Sequence, residues 1–192
     1  MDATFDPRPH YLRALDQLAK VVAQVTPEQL DRPTPCTEFD LRTLLGHTVG
    51  GIHRIAYVGE GGRSLDVAAT VGEVGDAEWA EALDRARARA AAAWADDAVL
   101  DRLSWVPWGQ LPGRFALGGY VMEAVTHTWD IAQVVDPSAA LDEELALGAL
   151  GVAEQVLPAE PRGGELPFGP VQPVPADADP YTRLAGWLGR RV

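Results

Sequence analysis

A helical stretch from Phe115 to Val135 places a glutamate and a histidine on one apolar face. Glu123 and His127 are four residues apart, so in a helix they lie one turn apart on the same side. A carboxylate on an apolar face is costly to bury unless it is paired or binds a metal ion. The segment therefore predicts a helix whose buried face needs polar partners from elsewhere in the chain.

His47 is the natural partner for this pair. It lies in a second apolar helical segment, and three glycines lie within four residues of it. Each glycine costs about 1 kcal/mol in a helix relative to alanine, so their presence indicates either close packing or space for a bound group. Two imidazoles and one carboxylate would leave a coordination position open on a metal ion, as catalytic metal sites require. The sequence thus predicts a metal centre formed by His47, Glu123 and His127.

Each of these residues also has a plainer interpretation. Glu123 and His127 could form a buried pair satisfied by hydrogen bonds, and His47 could be a satisfied core histidine. Asp130 is interpreted either as a partner that orients an imidazole or as a surface ion pair or helix cap. Cys36 precedes a helix, so it is either a small buried side chain or a thiol of lowered pKa.

The other histidines and the tryptophans have weaker assignments. His10 starts the first helix and His53 is out of phase with His47, so both are expected at the periphery. The six tryptophans are mostly expected in the core. Three of them are candidates for the wall of a substrate pocket: Trp105, Trp108 and Trp129. The chain has no motif typical of a Ser-His-Asp triad, a phosphate loop, a dinucleotide site or a zinc finger.

Composition excludes several partners. The net charge of −12 argues against binding to nucleic acid and to anionic membrane surfaces. A lone cysteine rules out an intramolecular disulfide. The first residues lack the pattern of a signal peptide, and no apolar run approaches the roughly 20 residues of a membrane span. A cytoplasmic protein with no membrane partner is therefore expected.

Apolar periodicity predicts an all-α fold in which four long amphipathic helices form a bundle. Asp40 is the expected N-cap of the second helix. Prolines keep residues 32–39 out of helices, and the Pro- and Gly-rich tail is expected to be extended. The expected helices cover about residues 9–25, 41–58, 77–95, 115–135 and 142–156, with a short one at 180–189 and an irregular or extended piece at 96–113.

These elements are interpreted as one domain over residues 1–192. Its core would be the bundle at about residues 9–156, and residues 157–192 would add a surface wrap and a short helix. Glycine-rich helix ends and exposed tryptophans are compatible with a homodimer, and ordinary surface exposure explains them equally well. Monomer and homodimer are both left open.

Several motifs resemble one known family. The run Pro33-Thr34-Pro35-Cys36, followed by Phe39 to His47, resembles the signature loop and second helix of an actinobacterial family in the DinB-like superfamily. That superfamily includes mycothiol-dependent maleylpyruvate isomerase and the mycothiol and bacillithiol transferases. The segment from Glu123 to Asp130 resembles its metal-binding helix. The tail from Pro167 to Asp177 and the closing stretch from Arg183 to Arg190 are similar to it as well.

The resemblance implies a four-helix bundle that holds one divalent metal ion through His47, Glu123 and His127. The ion would be zinc, with nickel as the alternative, and mycothiol would be the cosubstrate. Many superfamily members have a third histidine where this chain has Glu123, and the isomerase branch has a glutamate, as here. The isomerase also carries a separate C-terminal domain, where this chain has a short wrap and a helix.

The leading functional interpretation is a metal-dependent transferase or isomerase that uses a low-molecular-weight thiol against a small electrophile. The thiolate would attack the electrophile in an apolar pocket and give conjugation or isomerisation. The alternatives are a metal-dependent hydrolase and a non-catalytic metal-containing stress or binding protein. Candidate contacts for an anionic group of the thiol are Arg42, Arg54 and Arg114, and the alternative for each is a solvated surface residue.

Overall fold

The computed structural model describes residues 5–163 and 168–192, over which the chain forms helices and one small hairpin. The elements are α1 (Arg8–Val22), α2 (Leu41–Gly59), α3 (Trp79–Ala93), α4 (Ala98–Asp101), β1 (Leu103–Val106), β2 (Gly109–Pro112), α5 (Gly113–Val135), α6 (Glu143–Val156) and α7 (Pro180–Trp187). The predicted all-α class is confirmed. Within the described residues, no helix is long and apolar enough to cross a membrane.

Helix α5 is the central element. It packs against α1, α2, α6 and α7, and every residue from Ala124 to Ala132 is buried. A helix buried on all sides must satisfy its polar side chains internally. Thr126 and Thr128 do so by donating to the carbonyls of Met122 and Ala124, at 2.8 and 2.7 Å. The histidine and the aspartate of this stretch therefore need partners of their own.

Helix α2 begins as the sequence predicts. The Asp40 side chain caps it by accepting from the Thr43 N–H at 2.8 Å. The preceding Pro-rich loop is not helical, again as predicted. The Thr34 hydroxyl donates to the Phe39 carbonyl at 2.8 Å, and the Phe39 N–H donates to the Cys36 carbonyl at 2.8 Å. These bonds hold Phe39 at the start of α2.

Two segments differ in detail from the prediction. Helix α1 ends at Val22 rather than near Val25, because the N–H groups of Gln24 and Val25 donate to carbonyls three residues earlier and tighten the last turn. The segment at 96–113 holds the short helix α4 and an antiparallel hairpin in which Val106 pairs with Gly109. Gly109 has a φ of +138°, a conformation that favours glycine.

The C-terminal part closes over one side of α5. The described parts of the tail before α7 contain neither helix nor strand and include bends and a turn, and Pro167 of the tail motif lies outside the described residues. Asp179 caps α7 by accepting from the N–H groups of Tyr181 and Thr182, at 2.9 and 3.0 Å. Helix α7 then packs on α6 and α5. The last residues of the chain thereby reach the buried half of α5.

Candidate metal centre

The structure brings the three predicted ligands together. His47 Nε2, from α2, lies 3.0 Å from Glu123 Oε1 on α5. His127 Nε2 lies 3.6 Å from the same carboxylate oxygen. One ligand atom from each residue lies within 4.8 Å of the other two. The two imidazole rings meet edge to face, with centroids 5.1 Å apart.

The exposure of the three side chains is graded. His127 is 7% exposed, His47 is 24% exposed and Glu123 is 34% exposed. His127 therefore forms the floor of the cluster, and the other two lie at its rim. Of the three, Glu123 is the most accessible to solvent.

Hydrogen bonds dominate the electrostatics of the cluster. Burial alone would raise the pKa of Glu123, but its contacts with His127 and His47 outweigh burial and hold that pKa below its ordinary value. Burial would lower the pKa of His127, but Asp130 and Glu123 raise it to about 9. The free cluster is thus a carboxylate between two imidazoles, with the pKa of His127 raised above its ordinary value.

Asp130 is an internal partner of His127. It is completely buried, so its interpretation as a surface ion pair or cap is wrong. Its Oδ2 atom accepts from His127 Nδ1 at 3.0 Å and from Arg190 Nη2 at 2.9 Å. Burial favours the neutral acid, but the hydrogen bond from His127 and the charge of Arg190 lower the pKa of Asp130.

The glycines of α2 have two different roles. A Cβ at Gly46 would lie 3.0 Å from the Val71 carbonyl, and one at Gly50 would lie 2.5 Å from the Ala69 carbonyl. These two glycines therefore let a loop pack directly on α2. A Cβ at Gly51 would meet nothing within 4 Å. Because Gly51 is one turn after His47, it leaves open space on the His47 side of the helix.

Aromatic rings lie on both sides of the cluster. Phe39 packs against the His47 ring, with centroids 5.4 Å apart. Trp108, at the tip of the hairpin, packs against Tyr120 at 5.4 Å. A Cβ at Gly119 would lie 2.6 Å from the Trp108 ring, so the indole lies directly on the helix there. Gly119 is one turn before Glu123, which puts Trp108 on the ligand-bearing face of α5.

The other two tryptophans proposed as pocket walls are placed differently. Trp129 is 9% exposed and belongs to the core. Trp105 is 44% exposed and carries the Arg63 guanidinium over its ring at 4.8 Å. Of the three candidates, Trp108 is 52% exposed and lies on the face of α5 that carries Glu123.

Tyr11 is a site residue that the sequence reasoning missed. It was assigned only to the apolar stripe of α1, yet its buried hydroxyl has no hydrogen-bond partner among the described residues. Burial, and the nearby Tyr120 and Glu123, raise its pKa above the ordinary value. The sequence signal for Tyr11 is a tyrosine within an otherwise aliphatic stripe. A buried hydroxyl normally has a hydrogen-bond partner, so a tyrosine there calls for one.

The three arginines predicted as contacts for an anionic group differ in their present hydrogen-bond partners. Arg42 binds Asp76, with Nη1 and Oδ1 2.5 Å apart. Arg114 is buried and binds Asp101 and the Phe5 carbonyl. Arg54 donates to the Val67 carbonyl at 3.0 Å, and its buried Nε has no partner in the described part of the chain. Arg54 is also close enough to Tyr120 to lower the pKa of that hydroxyl, against the larger effect of burial.

Cys36 and the peripheral histidines take no part in the cluster. Burial raises the pKa of the Cys36 thiol to about 11, so the alternative of a lowered pKa is wrong and the interpretation as a small packed side chain is favoured. The half-buried side chain instead packs against the core. His10 is exposed beside Phe5, with ring centroids 5.7 Å apart. His53 has its pKa lowered by burial and by Arg89 and Arg85.

Two open depressions on the surface lie away from the cluster. One lies between α1 and α3 and is lined by Asp16 and Arg87, which form an ion pair there. The other lies along the tail and is lined by residues 159–162 and 170–171. Neither depression is lined by a residue of the cluster.

The sequence is similar to known proteins of one family. The sequence model of the family described as the mycothiol maleylpyruvate isomerase N-terminal domain matches residues 11–132, which include all three predicted ligands. An uncharacterized protein of Mycobacterium tuberculosis strain H37Rv is 31% identical over 188 residues, covering 97% of this chain and 99% of the relative. The corresponding protein of strain CDC 1551 / Oshkosh gives the same values.

No solved structure gives a significant match to the chain. The family match covers most of α1, all of α2 and α3, and nearly all of α5. It therefore includes both helices that carry the His47, Glu123 and His127 cluster, and the chain belongs to the mycothiol maleylpyruvate isomerase N-terminal domain family.

Proposed function

We propose that the protein is a metal-dependent enzyme that transfers or isomerises a small electrophile with a low-molecular-weight thiol, mycothiol, as cosubstrate. The observation that supports this proposal is the convergence of His47, Glu123 and His127 beside the open space at Gly51. The family to which the chain belongs is named for a mycothiol-using isomerase. Membership in that family favours a thiol chemistry over other uses of a metal centre.

The side chains suit a divalent ion. Two ligands of a tetrahedral zinc ion, each at about 2.0–2.2 Å, lie roughly 3.3–3.6 Å from each other. The observed separations from Glu123 Oε1, 3.0 Å to His47 and 3.6 Å to His127, bracket that spacing. Two imidazoles and a carboxylate are also the donors of many catalytic zinc sites. We therefore propose zinc, with nickel as the alternative.

A divalent ion held there would favour the thiolate form of a bound thiol and leave a position open for it. Glu123 would offset the charge of the ion, and Asp130 would hold His127 through Nδ1 so that Nε2 faces the cluster. Trp108 and Tyr120 would shield one side of the substrate from water. Arg54, which has no carboxylate partner in the described chain, would attract an anionic group.

We also propose that the fold is the four-helix bundle of the DinB-like superfamily, formed by α1, α2, α3 and α5. The packing of α1 on α5 and α3, and of α2 on α3 and α5, supports this assignment. In such a bundle, side chains from facing helices build a metal site in the core. That is the relation between His47 on α2 and the other two proposed ligands on α5.

The test is turnover of a panel of electrophiles by zinc-loaded protein, with and without mycothiol. The panel contains an unsaturated dicarboxylate and an activated aryl halide. Turnover that requires mycothiol supports the proposal, because the thiol is then the nucleophile. Turnover without a thiol indicates a hydrolase, and bound zinc without any turnover indicates a binding protein. Either of these two results would overturn the proposal.

Gly51→Leu provides a matched variant for this test. The added side chain would fill the open space beside His47 without removing a ligand. We expect wild-type zinc content and loss of most of the thiol-dependent turnover. The control is Gly148→Leu, since a Cβ at Gly148 also meets nothing within 4 Å and Gly148 lies on α6. Equal turnover in the two variants would mean that the space at Gly51 is not part of the substrate site.

A further inference from the structure

The C-terminal end of the chain reaches the cluster through Arg190. Its guanidinium makes a two-pronged contact with Asp130, with Nη2 2.9 Å from Oδ2 and Nε 3.3 Å from Oδ1. Arg190 is 9% exposed and Asp130 is completely buried. A buried guanidinium is expensive to desolvate, and the paired carboxylate of Asp130 offsets that cost.

The same carboxylate oxygen binds the proposed metal ligand. Asp130 Oδ2 accepts from both Arg190 Nη2 and His127 Nδ1. A proton on Nδ1 leaves Nε2 of His127 for the cluster, and Nε2 is the atom that lies 3.6 Å from Glu123. Arg190, Asp130 and His127 therefore form one buried chain of contacts that ends at the cluster.

Charge balance explains why a cation belongs in this chain. A histidine that binds a metal ion through Nε2 is a neutral imidazole with its proton on Nδ1. Asp130 would then be a buried carboxylate with no charged partner on α5, which is strongly unfavourable. The Arg190 guanidinium supplies the missing positive charge and fixes the orientation of the Asp130 carboxylate through both of its oxygens. Asp130 can thus remain an acceptor for His127 when the metal is bound.

The backbone around Arg190 is built to hold it in place. The Arg190 N–H donates to the Ala185 carbonyl at 2.9 Å. Gly189 has a φ of +84°, and a Cβ there would lie 2.8 Å from the backbone of Gly169 in the tail. The Gln172 N–H further ties the tail to α7 by donating to the Gly186 carbonyl at 2.9 Å. These contacts between the tail and the end of α7 therefore set the position from which Arg190 reaches Asp130.

We propose that Arg190 is a positioning residue of the metal centre, acting through Asp130 to orient His127. The inference rests on the proposed metal centre and extends it to the C-terminal segment, which lies outside residues 11–132. The segment after α7 is then part of the site rather than only a cover for the core.

The experiment measures zinc affinity by competition with a chromophoric chelator. Arg190→Gln should lower the affinity about 10–100-fold, the usual effect of removing a partner of a ligating histidine. Arg190→Lys should recover part of it, because the charge remains and the two-pronged geometry is lost. Arg191→Gln is the matched control, since Arg191 is the adjacent arginine and is exposed; its affinity should equal wild type.

A second readout reports orientation directly. In zinc-loaded wild type, NMR should show the Nδ1 proton of His127 protected and hydrogen-bonded. That signal should broaden or disappear in Arg190→Gln and persist in Arg191→Gln. An unchanged signal together with unchanged zinc affinity in Arg190→Gln would overturn the proposal. If Arg190→Gln does not fold, Arg190→Lys serves as the test variant. Wild-type zinc affinity and an unaltered Nδ1 proton signal in Arg190→Lys would then overturn the proposal.

A double-mutant cycle tests the route through Asp130. Asp130→Asn with Arg190→Gln should bind zinc no more weakly than Asp130→Asn alone, because Arg190 acts through that carboxylate. Additive losses would overturn the proposed route. Failure of wild type to bind zinc would instead overturn the metal centre. Zinc binding without thiol-dependent turnover would overturn the enzymatic proposal and leave the role of Arg190 intact.

Discussion

Glu123 is the residue that joins the two imidazoles of the cluster. Its Oε1 atom is shared between His47 Nε2 and His127 Nε2, at 3.0 and 3.6 Å. Without an ion, this oxygen accepts from His47 and lies within ion-pair distance of His127, and both contacts lower the pKa of the Glu123 carboxyl. With an ion, the same three atoms are close enough to become ligands with small side-chain shifts. The same arrangement of the three side chains therefore suits both the metal-free and the metal-bound protein.

Replacement of any one of His47, Glu123 or His127 by Ala should remove most of the bound metal, because two remaining ligands hold an ion poorly. His10→Ala and His53→Ala are the controls, since neither histidine belongs to the cluster. Elemental analysis of the purified variants measures the metal content. Full occupancy in both His47→Ala and His127→Ala would contradict the proposed centre.

At the scale of elements, helix α2 is positioned at its start by a cap and along its length by glycines. Asp40 fixes where the helix begins, seven residues before His47. Gly46 and Gly50 then let the backbone of residues 69–71 pack against the helix. Both features act on the helix as a whole, so their loss should change stability before it changes chemistry.

Asp40→Ala should lower the free energy of unfolding by about 1 kcal/mol, the usual cost of losing a helix N-cap. Hydrogen bonds from Thr43 lower the pKa of Asp40 below its ordinary value of 3.8. The stabilisation from the cap is therefore present above that value and is lost as the pH falls through the lowered pKa. Urea unfolding at pH 7 and pH 3 measures this, with the exposed Glu38→Ala as control. An equal effect of Asp40→Ala at both pH values would contradict the cap assignment.

Alanine at Gly50 and at Gly51 should have opposite effects. Gly51→Ala should stabilise by up to about 1 kcal/mol, because alanine favours a helix and its Cβ meets nothing within 4 Å. At Gly50 the Cβ would lie 2.5 Å from a backbone carbonyl, so overpacking of about 1–3 kcal/mol should exceed that gain. Urea unfolding of both variants compares them. A stabilised Gly50→Ala would show that the loop at residue 69 moves away at little cost.

On the scale of the whole molecule, the cluster links distant parts of the chain. His47 and Glu123 are 76 residues apart, and Arg190 is 60 residues beyond Asp130. An ion bound to α2 and α5 would therefore stabilise the packed helices and would not bind the unfolded chain with the same geometry.

Zinc at 100 times its dissociation constant should stabilise the folded protein by about 2.7 kcal/mol. Differential scanning calorimetry, with and without zinc after chelator treatment, measures the rise in Tm. His127→Ala should show little rise, because the centre loses a ligand. An equal rise in wild type and in His127→Ala would mean that the zinc binds elsewhere.

Local signals were sufficient for most elements. Helix capping, proline and apolar periodicity each depend on residues close together in sequence. The sequence therefore predicts the Asp40 cap, the non-helical residues 32–39 and helix α5 without knowledge of the packing. The hairpin at 103–112 was expected only as an extended piece, because its pairing depends on two strands of four residues each. Such short strands carry too few residues for a periodic signal.

The glycines of α2 show the limit of local reasoning. In sequence, Gly46, Gly50 and Gly51 are alike, and each indicates either close packing or free space. Only the approach of the 69–71 loop distinguishes the two packed glycines from the open one. The burial of Cys36 similarly decides that its pKa rises, although its place before a helix suggested the opposite.

The sequence by itself determined the helical class, the start of α2 and the pairing of Glu123 with His127 on one helical face, because helix periodicity and capping operate over a few residues. Contacts between distant segments came only from the tertiary structure: the approach of His47, the place of Trp108 on Gly119, the burial of Tyr11 and the reach of Arg190 to Asp130. These contacts follow from how α2, α5 and the C-terminal tail pack together, and no local pattern encodes such distances.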